Sequence, residues 1–156
     1  MARATYADFR PRFVRYVAWG AIVVIVLGGL LVLWQAPGTD GRGYDLLDAL
    51  GAGLVLAAGC VFLWRQATVR ARVDEHGVTV RNLLRVRTLE WTQVVAVRFG
   101  SGDPWVLLEI SDGTTWPVMA VQRADGEYAA REARRLAALV VRHGEGTEQD
   151  AVGPTG

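Results

Sequence analysis

Two long apolar runs in the first third of the chain restrict its fold more than any other feature. Residues 17–34 carry no charge, and residues 46–64 carry one, Asp48. Each run is about eighteen or nineteen residues, enough for an α-helix to cross the hydrocarbon core of a bilayer. Backbone polar groups must be satisfied internally in lipid, so two such runs predict a transmembrane helical hairpin. Residues 35–45 hold Pro37, Gly38, Gly41 and Gly43 and read as the connecting turn.

Arginine placement orients the hairpin. The chain has 17 cationic side chains and no lysine among them. Arg3, Arg10, Arg12 and Arg15 precede the first run, and Arg65, Arg70 and Arg72 follow the second. The connector has only Arg42, set against Asp40 and Asp45. Positive residues stay inside, so residues 1–16 form a cytoplasmic tail, the connector lies outside, and both termini are cytoplasmic at the inner (plasma) membrane. Tyr16, Trp19 and Trp64 then fall at the inner interface, Trp34 and Tyr44 at the outer one. Ala49, Gly53 and Ala57 recur every four residues, and Gly20 and Gly28 add small residues to the first span, a pattern that lets helices approach closely in lipid. A homo-oligomer is also open to such a chain.

Two competing readings fail. A secretory signal would not be this long, and Trp34-Gln35-Ala36-Pro37 makes a poor cleavage site. A lipoprotein signal ending at Cys60 has its Leu56 one position too far away, and the apolar run continues past it through Trp64.

After the spans, the period changes. Val69, Ala71 and Val73 alternate with Arg70 and Arg72, as in a half-buried strand. Asp74-Glu75-His76-Gly77 reads as a hairpin connection, with Gly77 supplying a positive φ. Further strands follow at 78–81, 85–89, 94–99, 105–110 and 114–119, with a corner at Trp91-Thr92-Gln93. Short strands joined by short turns predict an antiparallel sandwich or small barrel. Tyr128, Ala129, Ala133, Leu136, Leu139 and Val140 then recur at helical spacing, with Asp125 as N-cap. That helix must bury its stripe against the sheet. Residues 144–156 are polar and Gly-rich and are expected to be disordered. The fold class is therefore α+β: a two-helix hairpin at 17–64, then an antiparallel β-domain at 65–143 closed by a C-terminal helix.

Strands followed by one helix is the order of a pleckstrin-homology (PH) domain. The segment from Gly77 through Leu84, then Glu90-Trp91, Gly102-Asp103-Pro104-Trp105, and Asp112 through Ala120, resembles the bacterial PH-like domain named for the low-molecular-weight protein antigen 6 of mycobacteria. The resemblance covers roughly residues 10–143. It implies a PH-like fold, an actinobacterial two-span membrane protein, and no established activity. The chain departs from lipid-binding PH domains in its first hairpin loop, which is acidic rather than basic, and this argues against phosphoinositide recognition.

The residues offer little catalytic chemistry. One Cys and two His, His76 and His143, leave no thiolate or imidazole metal site. No Ser or Cys stands beside a base in a nucleophile motif, and no Gly-rich phosphate loop follows a strand. No enzyme and no cofactor is expected. Net charge of +1 argues against general nucleic-acid binding. The candidate surface is basic: Arg65, Arg70, Arg72, Arg81, Arg85 and Arg87. These could meet a protein partner or an anionic lipid head group at the bilayer surface, or serve only as topological determinants. Trp91, Trp105 and Trp116 are expected in the core. A rival reading makes the chain a structural subunit of an envelope-associated complex, recognised through Gly20, Gly28, Ala49, Gly53 and Ala57.

Overall fold

The computed structural model describes residues 6–35 and 46–151. The chain divides into two compact units: 14–68, and 69–156 together with the first thirteen residues.

The helical unit holds α1 (Phe13–Gln35) and α2 (Leu46–Ala67). Phe13–Val32 and Ala49–Ala67 are each long and apolar enough to cross a membrane. Both helices outrun the uncharged runs 17–34 and 46–64, because helical hydrogen bonding continues through the turns that carry Arg15 and Arg65. Val23, Leu27, Leu30, Leu54 and Val55 are exposed around the helices. An apolar surface of this extent marks a membrane or protein interaction surface. Gly29 approaches α2 most closely, its Cβ position lying 3.6 Å from Leu56 Cδ1. At Gly20, Gly28 and Gly53 a Cβ would meet nothing within 4 Å. The connector, with Arg42 and Tyr44, lies outside the described residues, as does Arg3.

The β-rich unit has two three-stranded antiparallel sheets, β1-β2-β3 and β4-β5-β6. The strands are β1 (Arg70–Val73), β2 (Gly77–Arg81), β3 (Val86–Glu90), β4 (Val94–Arg98), β5 (Trp105–Ile110) and β6 (Thr115–Gln122). All six lie where alternation places strands. The barrel alternative does not hold, because the 3₁₀ turn Trp91–Gln93 carries the chain out of the first sheet, and β3 and β4 share no ladder. Alternation buries Ala71, Val73, Val78, Val80, Leu89, Val106, Leu108, Ile110 and Val118 between the sheets. Register shifts at Val94/Ala96 and Trp105/Val106 bend the second sheet.

Helix α3 (Glu127–Ala151) buries Ala129, Ala133, Leu136, Leu139 and Val140 against this core. Its backbone runs past Gly144, where the composition suggested disorder. An established helix adds one hydrogen bond per residue, which lets a polar stretch continue it.

Two local assignments change. Gly77 has no positive φ; among the described glycines only Gly113 and Gly126 do. Its role is steric, since a Cβ there would lie 2.1 Å from the Leu89 carbonyl oxygen. The turn itself is held by Asp74 Oδ1, which accepts from the N–H groups of His76 (2.8 Å) and Gly77 (3.0 Å). Asp125 does not cap α3. It ends the 3₁₀ turn Arg123–Asp125, separated from α3 by Gly126 at φ 57°. Its carboxylate instead accepts from the main-chain N–H groups of Arg12 (3.0 Å) and Phe13 (2.7 Å).

Residues 6–13 are thus built into the domain, a role their sequence did not suggest. Phe9 and Ala71 exchange two main-chain hydrogen bonds, at 2.8 and 3.0 Å. The Phe9 ring is fully buried, and the Arg135 guanidinium lies 3.8 Å from its centroid. Arg135 also donates to the Ala7 carbonyl at 2.9 Å.

Candidate functional site

The five candidate arginines of the β-rich unit do not form one surface. In an antiparallel pair, directly opposed residues share a face. Arg70 stands opposite Arg81, and Arg72 opposite Thr79. Val78 and Val80 are buried while Thr79 and Arg81 are half-exposed, so Arg70, Arg72, Thr79 and Arg81 share the outer face of the first sheet. Thr79 and Thr88 hydroxyls meet across that face at 3.0 Å.

Two like charges directly opposite one another in a sheet are destabilising. Neither Arg70 nor Arg81 has an acidic partner within 4.0 Å among the described residues. Arg72 lies 3.9 Å from Asp8, a carboxylate shared with Arg10 at 3.0 Å.

Arg87 lies on the opposite side of β3, in phase with the buried Leu89. Its guanidinium sits 5.1 Å from the Trp116 ring centroid and 3.5 Å from Asp112. The Thr114 side chain (2.5 Å) and main-chain N–H (2.8 Å) hydrogen-bond Asp112, holding its carboxyl below the usual carboxylate range, with Arg87 adding to the effect. Arg85 is exposed in the β2–β3 turn. Arg65 lies in the last turn of α2, in the helical unit.

Alternation alone did not reveal a cleft of about 340 Å³ between that turn and the start of β6, lined by Leu83, Leu84, Arg85, Trp116, Pro117 and Met119. The Leu84 side chain is 78% exposed, a signal available in the sequence as two adjacent leucines inside a tight turn. Asn82 forms the floor. It is buried, donating from Nδ2 to the Pro117 carbonyl at 2.7 Å and accepting from the Met119 N–H at 3.1 Å. The Trp116 Nε1–H is shut off from solvent with no acceptor among the described residues.

Of the three domain tryptophans, Trp91 is buried and donates from Nε1 to the Asp74 carbonyl at 2.9 Å. Trp105 and Trp116 are half-exposed. His143 stacks on Trp91 at 5.1 Å and meets the Tyr6 hydroxyl at 3.1 Å, fastening α3 to the N-terminal segment. Among the described residues no group of His, Cys, Asp and Glu is arranged to hold a metal ion.

The family model described as "Bacterial PH domain" matches residues 68–139. Uncharacterized proteins of Mycobacterium tuberculosis and Mycobacterium bovis are 36% identical over 141 residues, covering 86% of this chain and 88% of each relative. Residues from 68 onward cannot fill that length, so the likeness extends into the helical unit. No solved structure gives a significant match. Two antiparallel sheets closed by a helix, the matched segment and these relatives together place the chain in the bacterial PH domain family.

Proposed function

We propose that this chain is a non-catalytic two-span membrane protein whose PH-like domain is a binding module at the cytoplasmic face, engaging an anionic lipid head group or a protein partner. The mutual hydrogen bonds of Phe9 and Ala71 support the topology. They tie the chain before the helical unit to the chain after it. The intervening segment must therefore leave and return on one side, which requires an even number of crossings. Arginine placement makes that side the cytoplasm.

The observation that carries the binding reading is the opposed pair Arg70 and Arg81, neither of which has a carboxylate within 4.0 Å among the described residues. An anion between them would relieve their repulsion through charge-assisted hydrogen bonds. Arginines near an anionic leaflet gain about 1 kcal/mol each. The test is hydrogen exchange on the full chain in bilayers with and without phosphatidylglycerol. Anionic lipid is expected to protect 70–81, and the double variant R70E/R81E to lose that protection. Equal exchange in both bilayers would remove head groups as the ligand.

The rival reading, a structural subunit recognised through the hairpin, is favoured by the open space beside Gly20, Gly28 and Gly53. Under it, Gly53→Leu abolishes complex formation and the arginine variants do not.

A further inference from the structure

We propose that the outer edge of β3, with the cleft at its start, receives an extended acidic segment of another protein as a fourth strand of the first sheet. This site is separate from the arginine face and stands whatever that face binds.

The edge is read from the hydrogen-bond phase. Asn82 N–H donates to the Arg85 carbonyl at 2.9 Å, and Trp91 N–H to the His76 carbonyl at 3.3 Å. These bonds bracket the β2–β3 ladder, and bonded and non-bonded pairs alternate between them. Arg87 and Leu89 therefore spend their main-chain groups on β2, while those of Val86, Thr88 and Glu90 point away from it. Glu90 N–H is taken by the Gln93 side chain at 3.0 Å. Among the described residues no strand pairs with this edge. Val86 and Thr88 are exposed, so their N–H and C=O groups are open to an added strand.

Side-chain chemistry selects the occupant. Alternate residues of an added strand fall on the side where Leu84, Trp116 and Met119 offer apolar surface. Arg85 stands beside them, exposed and without an acidic partner among the described residues, and no carboxylate lines the cleft. Arg87 follows, sharing one exposed carboxylate, Asp112. Antiparallel self-pairing of β3 centred on Val86 or Arg87 would set arginine against arginine, which like-charge repulsion disfavours. A register centred on Thr88 sets Arg87 against Leu89, and a second copy is therefore one of the outcomes tested. A lipid has no alternating donors and acceptors to meet the edge. An acidic, aliphatic extended segment satisfies both requirements.

The test selects a random library of short peptides against the full chain in nanodiscs. Selected peptides are expected to carry Asp or Glu alternating with apolar residues. Thr88→Pro removes an outward donor without touching the β2–β3 ladder. It and Arg85→Glu should each weaken binding at least about tenfold. Should Thr88→Pro misfold, peptides N-methylated at alternate residues supply the same test, and should fail to bind. The proposal is overturned if enriched peptides lack acidic residues, or if N-methylated peptides bind as well as their parents. It is equally overturned if no peptide is enriched, and if phosphatidylglycerol vesicles or a second copy protect 86–88 instead.

Discussion

Phe9→Ala is expected to destabilise the β-rich unit by about 3–5 kcal/mol, the usual range for emptying a fully buried phenylalanine site. The ring is completely enclosed and lies under the Arg135 guanidinium, so the cavity cannot collapse without moving α3. Urea unfolding of the full chain in micelles, followed by tryptophan fluorescence, measures this. A loss below about 1 kcal/mol would show that the N-terminal segment is an ornament on a domain complete without it. Arg10→Ala is the control: its pair with Asp8 is exposed and contributes at most about 1 kcal/mol. A fragment beginning at Arg65 lacks Phe9 altogether. It is expected to be less stable than the intact chain, although it contains all of residues 68–139, the segment that the family model matches.

Gly77→Ala is expected to cost about 3 kcal/mol or more, beyond ordinary overpacking. The new methyl would sit 2.1 Å from the Leu89 carbonyl oxygen and 3.0 Å from Glu90 Cα. Both are backbone atoms of β3, so no side-chain rotation relieves the clash. The strands must part where Leu89 enters the core, and the edge proposed to receive a partner moves with them. Gly102→Ala, with open space around it and no positive φ, should stay within about 0.5 kcal/mol of the parent. Comparable melting temperatures for the two variants would contradict the steric account of Gly77.

The strand pattern was readable because side chains alternate with a period of two, and the valines and arginines of β1 and β2 obey it. The same rule puts Arg87 in phase with Leu89, yet only the position of Trp116 shows what it faces. Asp125 departs from its local pattern for a related reason. An Asp before a helix is a sound N-cap signal, but Gly126 at φ 57° intervenes, and its carboxylate serves donors 113 and 112 residues away. Gly77 in a turn suggests a left-handed conformation, while its real constraint is a neighbouring strand that no local pattern announces.

Local chemistry was enough to mark two helices that could cross a bilayer, six short strands and a closing amphipathic helix, because apolar runs and periodicities are properties of adjacent residues. Long-range packing chose the rest: Phe9 beside Ala71, Arg70 against Arg81, the open edge of β3. Those pairings depend on register and on how separated segments stack, and their partners are matched by shape and hydrogen bonding across the fold, not by neighbours along the chain.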